Sequence, residues 1–217
     1  MKRILSVLLL AVCATIVCAK EPKQPTSYNY QRGVEAVSEG NYEEGEEYLQ
    51  LEIEENPKNG YAYAWLSSVE SEREERGNAI AMLHKALQYL PPNDKYYIAW
   101  SYSSLATIHL ELNDTLAAIN YISKAVKTEP SNSEWYERRG YFYLIAERYD
   151  EALADFKKVM DMKPGMVSGF ILTAEVYYRQ EKYQEALDLY KYANSLAERA
   201  YIYAYMAMTE NQLHNYE

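Results

Sequence analysis

Beyond residue 18 the sequence has no cysteine. Cys13 and Cys18 are its two thiols, and both fall in the first nineteen positions. Without that stretch the chain can form no disulfide, use no thiolate in catalysis and bind no metal through sulfur. Basic residues are also in short supply: 22 Lys and Arg stand against 32 Asp and Glu, a formal net charge of -10. A negative field of that size repels phosphate backbones and anionic lipid, so nucleic acid and membrane surfaces are disfavoured partners. Histidine is scarce. His84, His109 and His214 are too far apart for a helical ligand pair, so no metal site is expected. There is no metalloprotease pair, phosphate-binding glycine loop or nucleophile elbow. The carboxylates offer no pair that stands out for acid–base work. No catalytic residue and no cofactor is therefore assigned.

The first residues read as a leader. Lys2 and Arg3 supply a positive start, and an apolar run follows from Ile4 to Ala19. It is shorter than the roughly 20 apolar residues a membrane span needs. Val17 and Ala19 suit a signal-peptidase site, so residues 1–19 are expected to be a signal peptide cleaved after Ala19, leaving no membrane span. An uncleaved anchor is the alternative. Lipidation at Cys18 is a weaker one, because Val17 stands where lipoprotein signals take Gly, Ala or Ser. The expected location is the periplasm or cell envelope. Residues 20–25 read as a linker.

What the chain has in excess is tyrosine, 24 of them, and a period. Small residues recur at Gly33, Ser67, Ala106, Gly140, Ala174 and Ala207, and a second series at Gly45, Ala79, Ala118, Ala152 and Ala186. Proline closes units at Pro57, Pro91, Pro130 and Pro164. A tyrosine opens the second half of a unit at Tyr42, Tyr149 and Tyr183, with Arg76 and Thr115 at that place in the second and third units. The spacing is near 34 throughout, except for five extra residues falling in "PPNDKYYIAW". Small residues let helices approach, aromatics fill the gap between them, and proline ends the second helix.

This pattern resembles the tetratricopeptide-repeat family, whose unit is a helix-turn-helix of 34 residues. The resemblance implies an all-α, right-handed α-solenoid over residues 26–217. Its units are about 26–59, 60–93, 99–132, 133–166 and 167–199, with a partial one at 200–217. With the leader it implies an exported bacterial member of that family. Departures from the pattern carry their own expectations. "ESEREER" lacks the usual turn, so the first helix of the second unit is expected to run long. The fifth unit lacks its proline, so "LAERAY" is expected to run almost unbroken into the next helix. At the insertion, Asn93 or Asp94 can cap a helix that starts more than one turn early. Tyr96, Tyr97 and Trp100 then either form a ligand-contact ridge or pack on the second helix of the preceding unit. Trp65, Trp100 and Trp135 are evenly spaced but fall at three different places in their units, so no ladder is expected.

In this family the first helices line a concave groove. Carried onto this sequence, that implies a partner-binding surface of Tyr30, Tyr61, Trp100, Ser103, Tyr141, Tyr178 and Tyr201, with Glu137 and Glu175 as acidic spots. Tyrosine combines an apolar ring with a hydrogen-bonding tip and few torsions to freeze. The places where some relatives carry Lys and Asn to grip a C-terminal carboxylate hold other residue types, so such a clamp is not expected. The expected ligand is a protein or peptide segment with apolar and basic residues. The acidic stretch Glu39–Asn56 reads as a solvated outer face, with a docking patch for a basic partner as the sharper alternative.

The function expected is therefore an exported scaffold that catalyses nothing. The alternative is the recognition arm of a longer envelope enzyme, such as a hydrolase, with its catalytic domain beyond residue 217. "NQLHNYE" reads as a turn and the start of another helix, and Tyr203, Met206 and Ala207 as the face prepared for it. A homodimer closing over that end is the other account.

Overall fold

The computed structural model describes residues 24–216. The leader, its cleavage point, Cys13, Cys18 and residues 20–23 of the linker lie outside the described residues. Eleven helices follow one another, with no strand among the described residues. Five pairs are formed by α1 (Tyr28–Ser38) and α2 (Tyr42–Glu55), α3 (Gly60–Glu72) and α4 (Arg76–Tyr89), α5 (Lys95–Glu111) and α6 (Thr115–Thr128), α7 (Ser133–Ile145) and α8 (Tyr149–Met162), and α9 (Val167–Arg179) and α10 (Tyr183–Leu196). A final helix, α11, spans Ala200–Tyr216. Each helix packs on its neighbours in sequence, and along the first five units each first helix also touches the first helix of the next. The result is an all-α solenoid whose core is a chain of local clusters.

The turn inside each pair is the same device five times. Gly40, Glu74, Asn113, Glu147 and Glu181 all have positive φ, between 58° and 83°. Around each, the N–H of the next residue donates back to the carbonyl five residues earlier, as Arg148 does to Tyr143 at 2.8 Å and Lys182 to Tyr177 at 2.9 Å. The left-handed residue's own N–H donates three back, as Glu147 does to Leu144. This is the Schellman arrangement, which reverses the chain while satisfying the last carbonyls of the first helix.

The small residues sit where helices cross. Gly33, Ser67, Ala106, Gly140 and Ala174 are buried, as is the whole second series. A Cβ at Gly140 would lie 2.6 Å from the Phe156 ring, and one at Gly33 2.6 Å from Leu49 Cγ. Helices α2, α4, α6 and α8 each end two residues before their proline. Asn59, Asp94, Asp114 and Asn132 cap α3, α5, α6 and α7 through their side-chain oxygens.

Several expectations give way. Helix α3 does not run long: it has 13 residues, the same as α7 and α9, because a Schellman turn at Glu74 stops it without glycine. The junction after α10 breaks at residues 197–199 although no proline is present. The segment from Asn211 is no turn; it continues α11, so His214 is helical. Ala207 does not continue the small-residue series: it is exposed, and Ile202 and Thr209 are the fully buried positions of α11. Met206 packs on the fifth unit, but Tyr203, at 46% exposure, faces outward with Ala207. The acidic stretch is mostly solvated, but Glu52 is buried and accepts hydrogen bonds from Ser27, Asn56 and Asn59.

The insertion lengthens α5 to 17 residues, capped by Asp94. Its aromatics form no exposed ridge. Tyr97 is buried edge-on against Tyr61 of α3, 4.9 Å between centroids, and Tyr96 leans on Trp135 of α7. The packing is against first helices on either side as well as against the preceding second helix, because a helix started early reaches across the ends of its neighbours.

Candidate functional site

The first helices, which the repeat pattern assigns to the inner wall, divide into a filled half, where their tyrosines are buried, and an open half, where their tyrosines stay partly exposed. In the first three units the wall is closed by its own side chains. Tyr30, Tyr61 and Tyr97 form a row with centroid separations of 6.3 and 4.9 Å. Tyr30 and Tyr61 are buried at 2% and 6% exposure. The segment before α1 completes the closure: Tyr30 OH donates to Gln24 Oε1 at 2.9 Å, and Gln24 Nε2 donates to Tyr97 OH at 2.8 Å. Ser27 ties the segment to Glu52 Oε2 at 2.6 Å. Tyr61 OH donates to the buried Asp94 at 2.6 Å. Burial, above all, pushes the phenols of Tyr30, Tyr61 and Tyr97 upward, so they stay neutral. Ser103 is also buried, and Trp100 is half-buried against three core clusters. Thus Tyr30, Tyr61 and Ser103 are buried and present little surface to a partner, although Tyr30 and Tyr61 each border an open cleft beside the segment before α1.

The open half is built by α7, α9 and α11. Tyr141 of α7 is half-buried, and burial raises its phenol while the Arg179 charge acts against that. Arg179 donates to Glu175 Oε1 at 2.9 Å, one turn back on α9. Tyr190 OH reaches Glu175 Oε2 at 3.4 Å and its ring stacks on Tyr205. Tyr178 is half-buried, edge-on to Tyr183 at 5.3 Å. Tyr201 is 42% exposed and lies edge-on to Tyr205 at 6.2 Å. Glu137 of α7 accepts from Ser168 Oγ on α9 at 2.7 Å, and burial raises its carboxyl above the usual range. Of the seven residues assigned to the groove, Tyr141, Tyr178 and Tyr201 belong to this half, with Trp100 at its edge.

The sequence reading missed Gln24, Tyr190 and Tyr205. Gln24 belongs to no repeat, so periodicity gives no signal for it. His109 stacks on Tyr121 at 5.2 Å, with Nδ1 3.6 Å from Asp114, beyond hydrogen-bond distance. Among the described residues no group of three His, Cys, Asp or Glu could hold a metal ion, and no helix is long and apolar enough to cross a membrane.

The family profile described as "Tetratricopeptide repeat" matches residues 104–167. Over 93 residues the chain is 33% identical to the mitochondrial import receptor subunit TOM70 of Saccharomyces cerevisiae, covering 43% of this chain and 15% of that protein. Over 96 residues it is 33% identical to the peptidyl-prolyl cis-trans isomerase FKBP4 of Bos taurus, covering 43% and 20%. The match therefore spans a fifth or less of these curated relatives. Among solved structures, a tetratricopeptide repeat protein from Parabacteroides merdae superimposes with a TM-score of 0.73 at 20% identity, over 86% of this chain and 72% of that one. YrrB, described as a TPR protein with an unusual peptide-binding site, gives 0.65 at 20% identity, over 83% and 90%. At such identities the likeness is one of fold.

Proposed function

The chain is a tetratricopeptide-repeat protein, and from that premise we propose that it is an interaction module that binds an extended protein segment on the inner wall of its last three units and catalyses nothing itself. One observation carries this reading: Tyr30 and Tyr61 are buried and Gln24 bridges Tyr30 to Tyr97 in the first half, whereas Tyr141 and Tyr178 stay half-buried and Tyr201 exposed in the second. Stacked helices hold such a surface in place before a ligand arrives, which lowers the ordering cost of binding. Residues 1–19 support export as the module's route, with work in the periplasm or envelope.

The test is quantitative capture of partners from extracts of the source cells. Tyr141→Ala with Tyr178→Ala should weaken capture while leaving the helical circular dichroism intact. Leu116→Ala, at an 80% exposed position on an outer helix, should not. Equal capture by all three forms sinks the groove assignment.

A second reading makes these repeats the recognition arm of a longer enzyme. It rests on the isomerase relative, of which the matched stretch forms only 20%. The intact mass of the protein from its source cells separates the two readings.

A further inference from the structure

Three carboxylates stand on the first helices of the fourth and fifth units: Glu134, Glu137 and Glu175. Two have a cation. Glu134 holds Arg138 at 2.8 Å, and Glu175 holds Arg179 at 2.9 Å. Glu137 has no ion pair among the described residues, although it is half-buried and largely stripped of water. Its one hydrogen bond is the Ser168 hydroxyl, on Oε2. A carboxylate can accept about four hydrogen bonds, so most of its capacity is unused. Arg138, engaged by Glu134, and Lys163 favour its charged form from a distance, but neither forms an ion pair with it, and burial outweighs them. A half-buried anion without a direct ion pair costs stability.

The position is also specific. Because its hydroxyl donor comes from the next first helix, Glu137 sits on the seam between α7 and α9. Tyr141 lies one turn further along the same helix, so the two side chains are neighbours. Ile171 lies on α9, one turn beyond Ser168. A carboxylate flanked by an aromatic ring suits a long cationic side chain, whose stem lies on the ring and whose head reaches the anion. The chain's net charge of -10 favours approach of such a segment.

Resting on the groove reading above, we propose that Glu137 is the specificity determinant of the open half: it receives a lysine or arginine side chain of an extended peptide whose apolar flanks lie on Tyr141 and Tyr178.

The probe is a random peptide library displayed on phage, panned against the full chain, against Glu137→Gln and against Tyr141→Ala with Tyr178→Ala. Wild-type protein should select peptides sharing one basic residue at a fixed place within an apolar consensus. Glu137→Gln should keep the apolar consensus and lose the basic residue. With a synthetic consensus peptide, Glu137→Gln should raise Kd about tenfold or more, as should Lys→Met in the peptide, and the two together should cost little more than either alone. A consensus that needs Tyr141 and Tyr178 but has no basic residue overturns this proposal and leaves the groove reading standing, as does a basic preference unchanged in Glu137→Gln. Selection of no peptide, or of peptides indifferent to the tyrosine pair, overturns both. Circular dichroism of each variant separates loss of binding from loss of fold.

Discussion

At the scale of single residues, close approach decides what is tolerated. Gly60, the first residue of α3, lies under the end of α4: a Cβ there would be 2.5 Å from Leu90 N and 2.8 Å from Tyr89 C. Both are backbone atoms and cannot swing aside. Gly60→Ala should therefore cost about 1–3 kcal/mol, an overpacking penalty that outweighs alanine's better helix propensity. Gly77, exposed in the first turn of α4, has nothing within 4 Å of its would-be Cβ. Gly77→Ala should stabilise by up to about 1 kcal/mol, and urea denaturation of the pair should give opposite signs. Glu137 gives a pH-dependent counterpart. Its folded carboxyl titrates above the usual 4.5, mainly because burial penalises the charge. Below 4.5 the group is protonated in both states and costs nothing. As pH rises from there through the folded value, the unfolded chain ionises first, so stability falls and then stays lower. Glu137→Gln should raise Tm at pH 7, and the gain should vanish as pH falls to about 4. At this size about 1 kcal/mol corresponds to about 2–4 °C in Tm. A gain that persists undiminished at low pH would show that the carboxylate's charge is not its cause.

At the scale of elements, the five Schellman turns explain both how legible the fold was and where reading failed. Gly40 and Asn113 announce a left-handed residue, but Glu74, Glu147 and Glu181 hold the same φ with a residue that pays about 1–2 kcal/mol for it. Hence "ESEREER" looked like an uninterrupted helix and is not. Glu147 and Glu181 are exposed, so glycine loses no packing there. Glycine's own entropic cost is about 0.5–1 kcal/mol, which leaves a net gain of about 0.5–1 kcal/mol for Glu147→Gly. Adding Glu181→Gly should roughly double it, since the two turns share no contacts; thermal melts check both. The helix pairs themselves were legible because Gly33, Gly140 and the alanine series mark crossings that only small residues permit. Ala207 misled because alanine is as much at home on an exposed helix face, and the true inward position is Thr209. Of the tyrosines expected on the groove, Tyr141, Tyr178 and Tyr201 keep exposed surface and Tyr30 and Tyr61 do not. Tyr30 and Tyr61 occupy first-helix positions as expected, but their burial depends on Gln24 and on the insertion that brings Tyr97 across, which no period encodes.

At the scale of the molecule, the solenoid has no core common to all its units, so its cooperativity is carried from seam to seam. Trp135 stands at one such seam. It is fully buried, its Nε1 donates to Glu129 Oε2 at 2.7 Å, and its ring packs with Ala99, Ile122, Ala125, Val126 and Phe142, joining the third unit to the fourth. Trp135→Ala should cost about 3–5 kcal/mol in lost burial and cavity, all of it charged to one interface. The two sides of that seam differ. The first three units are tied by the tyrosine row, by Asp94 and by Gln24, whereas the last helix keeps Tyr201, Tyr203 and Met208 exposed. The weakened array should therefore come apart from its C-terminal side. Trp65 and Trp100, the indoles remaining in the variant, both lie in the half expected to survive. In urea, wild-type protein should lose helical circular dichroism and indole fluorescence together. In Trp135→Ala the dichroism should fall first, in a step that the fluorescence does not follow, and the two should converge only when the first three units unfold. Coincident transitions in the variant would mean that coupling across this seam does not depend on Trp135, and that the array's cooperativity is carried by contacts between first helices along the inner wall.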